Sequence, residues 1–151
     1  MDTRTQPAHL TQHSGMLDTR TGGPGFTDLT GEIDGWLDSI RAREGIVTVF
    51  VRHTSASLTI QENADPTVRH DLETALDRLA PHGDGYVHSL EGPDDMPAHI
   101  RTMLTGVTLQ IPVLDGAMRL GTWQAVYLVE HRQAPHRRSV ALHFLGSVSG
   151  T

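Results

Sequence analysis

The first clear pattern along the chain is an apolar stripe with helical spacing between residues 26 and 40. Its members follow one another at intervals of four, three, one and three residues: Leu29, Ile33, Trp36, Leu37 and Ile40. Such spacing places side chains on one face of an α-helix. Asp28 or Thr30 can cap the first turn, and Gly45 follows an Arg/Glu segment that would end the helix.

A period of two replaces this pattern from Ile46 onward. Val47, Val49 and Val51 alternate with other residues, and β-branched side chains dominate as far as Ile60. Alternation of this kind is typical of β-strands. The sequence therefore predicts two strands, with a bend at residues 53–57.

A second helix is predicted after Asp65 and Pro66, which form an N-cap followed by proline in the first turn. Its apolar side chains recur at helical spacing: Val68, Leu72, Ala75, Leu76 and Leu79. Pro81 and Gly83 end the pattern.

The middle of the chain predicts a turn at Gly83–Gly85, a short strand at Tyr86–Ser89 and a third helix that begins near Pro97. The aspartates at 94–95 can cap that helix, which places His99 in its first turn. The positive end of the helix dipole would then favour a neutral imidazole.

The last third of the chain is predicted to be β-structure. Residues 107–113 alternate, Asp115-Gly116 predicts a hairpin, and long apolar-rich strands are expected at Trp123–His131 and Ser139–Leu145. Because the final strands are joined by short connections, an antiparallel α+β fold fits better than a doubly wound parallel sheet.

The composition of the chain excludes several kinds of functional site. A chain of 151 residues predicts one domain. It has no cysteine, which excludes disulfides, thiolate metal sites and a cysteine nucleophile. All 12 basic residues are arginine, so a Schiff-base lysine and a Walker-type phosphate loop are excluded as well.

Charge and hydropathy indicate the expected location of the protein and the classes of partner that it does not fit. A net charge of −6 without a basic run argues against nucleic acid as a partner. No apolar stretch approaches the ~18 residues of a membrane span, so we expect a cytoplasmic protein without membrane association. Residues 1–15 are polar and are predicted to be a flexible N-terminal arm.

Polar and ionisable residues gather at the ends of predicted elements in three segments: His53–Pro66, Tyr86–Ile100 and Leu120–Gln124. The eleven-residue spacing of His88 and His99 matches no helical metal pair, so a metal site would need imidazoles that converge through the fold. The alternative is that each histidine has only a local structural role.

Among the other candidates, Glu62 has no obvious capping role and is the better candidate base. Asp95 is more typical of a helix cap. Arg119 could bind a phosphate, although an ion pair with a nearby carboxylate is its simpler role. Trp123 and Gln124 could equally be a core aromatic residue beside a surface amide.

Taken together, these segments resemble the YjbQ family, which is also named for a secondary thiamine-phosphate synthase activity. The resemblance covers about residues 17–146 and is carried by three blocks in order: His53–Ile60 with Glu62–Pro66, Glu91–Ile100, and Leu120–Gln124. It implies one YjbQ-like domain over residues 16–148, with a β-sandwich or barrel-like core, about three helices and assembly as a homotrimer.

The resemblance also implies a histidine-lined pocket for a divalent metal ion. The matching positions are His53, His88 and His99, and the ion could be zinc, magnesium or manganese. Glu62 or Asp95 would act as the acid or base.

The implied substrate is a small phosphorylated or heterocyclic molecule. Its contacts would come from Asn63, Arg119, Trp123 and Gln124, with the indole as a stacking surface. In the thiamine-phosphate reaction, a pyrimidine carrying a diphosphate leaving group is joined to a thiazole phosphate.

Three hypotheses follow. The first is a metal-dependent enzyme acting on such a substrate, with weak thiamine-phosphate synthase activity as one form. The second is a non-enzymatic trimer that binds a metal or a metabolite. In the third, the histidines only stabilise contacts between subunits.

Overall fold

The computed structural model describes residues 3, 9–83 and 85–150. The helices in this part of the chain are α1 (Thr30–Ser39), α2 (Pro66–Leu79) and α3 (Asp95–Thr105). The strands are β1 (Thr11–Thr21), β2 (Gly25–Asp28), β3 (Ala42–Val51), β4 (Ala56–Glu62), β5 (Thr108–Leu114), β6 (Ala117–Met118), β7 (Gln124–Glu130) and β8 (His136–Val148).

The strands form two antiparallel sheets. The larger has the order β1-β8-β3-β5-β6 and the smaller the order β2-β7-β4. Alternate side chains of β3 and β8 meet those of β4 and β7 in one core, which includes Val49, Leu58, Leu128, Leu142 and Phe144. The predicted antiparallel α+β domain with a sandwich or barrel-like β-core and three helices is therefore confirmed.

Helix α1 packs into this core as its stripe predicts. Leu29, Ile33 and Leu37 are fully buried, and Trp36 and Ile40 pack against the same cluster. The Asp28 carboxylate accepts a hydrogen bond from the Thr30 N–H at 2.8 Å, which orders the first turn.

Helix α2 also begins as predicted, since the Asp65 carboxylate accepts a hydrogen bond from the Thr67 N–H at 2.8 Å. No residue of α2 is fully buried, however, so its apolar stripe is only half covered. It lies over the smaller sheet, where Arg69 donates a hydrogen bond to the Tyr127 hydroxyl. The partial cover leaves cavities beneath the helix.

The structure differs from the predictions at the end of α1, where β3 already begins at Ala42, and in four further places. Residues 86–89 are an irregular loop and not a strand, because no strand of the described residues lies beside them to pair with. The short strand β2 was not predicted. Helix α3 starts at Asp95, two residues before Pro97, so His99 lies in its second turn.

The fourth difference concerns the predicted N-terminal arm. Thr11–Gly15 pair with β8 as the first half of β1, so the ordered domain begins earlier than residue 16. Backbone pairing with a long strand outweighs the polar composition of this segment. The earlier part of the arm, apart from residues 3, 9 and 10, lies outside the described residues.

None of the helices in the described part of the chain is long and apolar enough to span a bilayer.

Candidate metal centre

The first turns of α3 lie where three segments of the chain meet. Asp95 is the first residue of the helix and is only 2% exposed. His99 is four residues later and so lies on the same helical face. His88 approaches from the preceding loop, and Arg132 from the segment after β7.

These elements bring two imidazoles to one carboxylate oxygen. Asp95 Oδ2 lies 2.7 Å from His88 Nε2 and 3.1 Å from His99 Nε2. The candidate ligand atoms of the three residues all lie within 4.8 Å of one another. Two imidazoles and a carboxylate form a common set of protein ligands for a divalent metal ion.

The tautomer of His99 supports this interpretation. Its Nδ1 lies 3.0 Å from the Thr54 carbonyl oxygen, which can only accept, so Nδ1 carries a proton. In the neutral ring, Nε2 then presents a lone pair to the Asp95 carboxylate. The lone pair of His99 Nε2 and the Asp95 carboxylate oxygen repel each other at this distance unless a proton or a cation lies between them. Metal-binding histidines are commonly oriented by such a carbonyl on the other ring nitrogen.

Arg132 fixes the carboxylates at the start of α3. It donates to Asp95 Oδ1, and its Nε donates to Asp94 Oδ2 at 3.0 Å. Burial raises the pKa of Asp95, but the hydrogen bond from His88 and the charge of Arg132 outweigh burial, so the pKa lies below its ordinary value. Arg132 thus occupies Oδ1 and leaves Oδ2 directed at the histidines.

His53 lies near this centre, but the structure does not place it in the cluster of ligands. Its Nε2 accepts a hydrogen bond from the Ser139 N–H at 2.8 Å. Burial, together with the charge of Arg138, lowers the pKa of His53 and favours the neutral ring. His53 and His99 line the same cavity of about 640 Å³, so they share a space even though they do not converge on one point.

The other predicted residues gather at the far end of the smaller sheet. The Asn63 N–H donates to the Trp123 carbonyl oxygen at 2.9 Å. Glu62 accepts a hydrogen bond from the Asp65 N–H through Oε2 at 3.3 Å, and Gln124 accepts one from the Gly121 N–H through Oε1 at 2.8 Å. Trp123 is 63% exposed.

Strand β4 separates this second group from the metal centre. It runs from Ala56, beside the metal centre, to Glu62 in the second group. Six steps of a strand cover about 20 Å. Arg119 lies elsewhere again, after β6 at the edge of the larger sheet. Within one chain, therefore, Glu62 does not meet the proposed metal ligands.

Sequence reasoning missed two features of the centre. Arg132 was not singled out, although a charged residue two positions after the apolar strand β7 is a usable signal. The Thr54 carbonyl oxygen that orients His99 cannot be recognised from the sequence, because any residue supplies a backbone carbonyl.

Comparison with known proteins matches residues 16–147 to the family model described as UPF0047 protein YjbQ-like. The chain is 48% identical over 142 residues to the UPF0047 protein sll1880 of Synechocystis, covering 93% of this chain and 97% of that protein. It is 47% identical over 109 residues to the UPF0047 protein YjbQ of Escherichia coli O157:H7, covering 72% and 79% of the two chains.

Solved structures share the fold. A conserved hypothetical protein of Thermus thermophilus has a TM-score of 0.76 at 38% identity, covering 85% of this chain and 97% of that one. A YbjQ-like protein of unknown function from Sulfolobus solfataricus has a TM-score of 0.85 at 22% identity, covering 92% and 100%, which is a likeness of fold alone. By sequence over nearly its whole described length, the chain belongs to the YjbQ (UPF0047) family.

Proposed function

We propose that the protein is a metal-dependent enzyme whose divalent ion is held by His88, Asp95 and His99. The observation that carries this proposal is the convergence of two imidazoles on one buried carboxylate oxygen. The donor set suits zinc or manganese better than magnesium, which prefers oxygen ligands. A bound ion would supply stabilisation of negative charge on a substrate.

The cavity beside His99 supports a small substrate with an apolar body and an anionic group. Its volume of about 640 Å³ is in the range of small-molecule sites. Phe50, Met103 and Val107 form apolar walls, and Arg52 adds a guanidinium that can bind phosphate. These properties favour a phosphorylated or heterocyclic substrate.

Thiamine-phosphate synthesis is the specific reaction that we propose to test. A C–N bond forms between the thiazole nitrogen and the methylene carbon of the pyrimidine, while the C–O bond to diphosphate breaks and the diphosphate leaves with the electron pair. The side chains would bind the heterocycles and Arg52 would neutralise a phosphate, which fits the cavity described above.

We expect the protein, after loading with zinc or manganese and desalting, to retain one ion per chain by elemental analysis. Asp95→Asn should weaken metal binding by about 100-fold or more, because it removes the charged ligand shared by both histidines. His99→Ala should behave in the same way. Circular dichroism would establish that each variant is folded.

Two control variants sharpen this test. His70→Ala removes an exposed histidine of α2, outside the centre, and should leave metal binding unchanged. His53→Ala decides whether His53 belongs to the ligand set as the family resemblance implies. If the loaded wild-type protein retains no ion, or if Asp95→Asn retains a full equivalent, the proposed centre is wrong.

A second candidate function is a metal- or metabolite-binding protein without catalysis. The observation that favours it is the separation of Glu62 from the metal centre, which leaves one chain without the predicted base beside the ion. Stoichiometric metal together with no turnover of the pyrimidine diphosphate and thiazole phosphate would select this alternative.

We further propose that the protein is a homotrimer, as the family resemblance implies. The outer face of the larger sheet supports assembly, because it exposes four large apolar side chains to between 44% and 50%: Met16, Ile46, Phe50 and Leu145. Such a face is unusual on a monomeric protein. Assembly could also bring the second group of residues in one chain near the metal centre of another.

Light scattering should give three times the chain mass of 16.5 kDa for the wild-type protein. Ile46→Glu should yield monomers, because Ile46 lies opposite Leu145 at the centre of the exposed face. Leu79→Glu, at an exposed position of α2, is the matched control and should not change the mass. A monomeric wild-type protein would contradict the proposal.

A further inference from the structure

Three consecutive residues directly after strand β3 line the cavity beside His99: Arg52, His53 and Thr54. Arg52 and Thr54 are exposed, and their side chains make no hydrogen bond or ion pair with any described residue. The lining of the cavity, within the described part of the chain, includes no Asp or Glu. The segment thus offers a guanidinium and a hydroxyl as hydrogen-bond donors without a competing negative charge.

The hydrogen bond from Ser139 fixes the tautomer of His53. A backbone N–H can only donate, so His53 Nε2, which lies 2.8 Å from the Ser139 nitrogen, carries a lone pair and no proton. The single proton of the neutral ring therefore lies on Nδ1. A charged ring would direct a second N–H at the N–H of Ser139, so this contact holds His53 as a neutral donor.

Nδ1 of His53 is free to bind a ligand. It has no hydrogen-bond partner among the described residues, and it is not one of the buried polar atoms that lack a partner. Because the ring is only partly buried and lines the cavity, Nδ1 is the ring nitrogen that a molecule in the cavity can reach. Binding a metal ion through Nδ1 would require the loss of its proton.

We propose that Arg52, His53 and Thr54 bind the phosphate group of a phosphomonoester whose apolar body lies against Phe50 and Met103. This inference rests on the proposed function, because it assigns the phosphate subsite of the same cavity. Nδ1 of His53, the hydroxyl of Thr54 and the guanidinium of Arg52 each donate to a phosphate oxygen. Three donor side chains match the three terminal oxygens of a phosphomonoester, whereas a carboxylate has two. His53 is then a substrate-binding residue and not a metal ligand.

Calorimetric titration of the metal-free full chain with phenyl phosphate tests this proposal. We expect saturable binding of one phenyl phosphate per chain. Phenol, which lacks the phosphate, and benzoate, which has a carboxylate in its place, should each bind at least about tenfold more weakly, because they lose charge-assisted hydrogen bonds. Equal binding of phenyl phosphate and either analogue would overturn the assignment, as would absence of saturation below about 20 mM.

Two substitutions of His53 separate the roles of its ring nitrogens. His53→Gln can place an amide oxygen near the position of Nε2, where it accepts from the Ser139 N–H, but it has no donor at the position of Nδ1. It should keep the stability of the fold and weaken phenyl phosphate binding by about tenfold or more. His53→Asn can place an amide N–H near the position of Nδ1 and should bind more tightly than His53→Gln. Wild-type affinity in His53→Gln, or no difference between the two variants, would overturn the proposal.

Nuclear magnetic resonance of the protein with isotope-labelled histidine rings gives a direct view of His53. Its signals are identified by their absence in His53→Gln. At neutral pH the ring should carry its one proton on Nδ1, and saturation with phenyl phosphate should shift the Nδ1 signal more than the Nε2 signal. A proton on Nε2, or a ring whose signals do not change on binding, would contradict the assigned role.

Two arginine variants locate the phosphate. Arg52→Gln should weaken phenyl phosphate binding by about tenfold or more, because it removes a charge-assisted donor from the cavity. Arg78→Gln removes an exposed arginine of α2 that does not line the cavity, so it is the matched control and should bind as the wild-type protein does. Equal losses in the two variants would reflect overall charge and would contradict a subsite at Arg52.

The metal measurement distinguishes this inference from the proposed centre. His53→Gln should retain one zinc ion per chain after loading and desalting, because His88, Asp95 and His99 are unchanged. Retention of zinc without phenyl phosphate binding would overturn the phosphate subsite alone. Phenyl phosphate binding without retention of zinc would overturn the metal centre alone. Loss of zinc in folded His53→Gln would make His53 a ligand and contradict its role as a donor.

Discussion

Arg138→Met should lower the free energy of unfolding by about 3–5 kcal/mol, because it leaves Glu130 as an uncompensated buried charge. The two side chains are 4% and 1% exposed. Arg138 donates from Nε to Glu130 Oε2 at 2.7 Å and from Nη2 to Oε1 at 2.5 Å. Thr21 donates a further hydrogen bond to Oε2 at 2.7 Å. Denaturation in urea would measure the loss.

Two comparisons isolate this ion pair. The double variant Glu130→Leu with Arg138→Met should recover much of the loss, because no buried charge remains. Arg137→Met, one residue earlier, removes an exposed ion pair with Asp18 and should cost less than about 1 kcal/mol. If Arg138→Met costs no more than Arg137→Met, the buried pair does not stabilise the fold as argued.

Acid should destabilise the protein through His131 before it titrates the carboxylates. The ring is 2% exposed, and burial together with the charge of Arg101 lowers the pKa of His131 from 6.5 to about 4. Between these two values the unfolded chain binds a proton that the folded chain does not, so stability is complete above pH 6.5 and falls as the pH decreases toward 4. A shift of this size corresponds to roughly 3 kcal/mol.

The measurement is the free energy of unfolding in urea at several values between pH 7 and pH 4. His131→Gln provides the control, because the amide can still hydrogen-bond Ser57, as His131 Nε2 does at 2.7 Å, but does not titrate. Between pH 7 and pH 4, the free energy of unfolding of His131→Gln should therefore decrease much less than that of the wild-type protein. Equal slopes for the two proteins would show that His131 is not held in its neutral form.

The buried pair also connects the core with the candidate metal centre. Glu130 Oε1 accepts hydrogen bonds from the N–H groups of His131 and Arg132 at 3.0 and 2.9 Å. These bonds fix the backbone from which Arg132 reaches Asp95. A substitution of Glu130 should therefore disturb the position of Asp95 as well as the stability of the core.

Elements with a complete local signal were predicted well from the sequence. Asp65 and Pro66 mark the start of α2, and the stripe through Leu29, Ile33 and Leu37 predicts α1, because caps and periodicity depend only on nearby residues. Residues 86–89 show the limit of such signals. A strand requires a partner. Val87 is fully exposed, and none of the described strands pairs with the segment that contains it.

The candidate site was predictable in part. His88, His99 and Asp95 were singled out, but their convergence was not predicted. The four-residue spacing of Asp95 and His99 on α3 was a usable local signal, whereas the path of the loop that brings His88 to Asp95 is not encoded in any spacing. His53 was grouped with them by resemblance, whereas its Nε2 accepts from the N–H of Ser139, 86 residues later. Glu62 was chosen because no helix-capping role was evident for it. That criterion does not specify at which end of the smaller sheet the residue lies.

The place of β8 between β1 and β3 has a consequence for folding. Thr11 hydrogen-bonds the Gly146 carbonyl oxygen across 135 residues, and β3 pairs with the other edge of β8. The larger sheet cannot assemble during synthesis until β8, the last of these elements, has left the ribosome. Contacts so distant along the chain are typical of slow folding, in milliseconds to seconds. The nascent chain would thus display β1 and β3, without their shared partner strand, to chaperones until β8 has emerged.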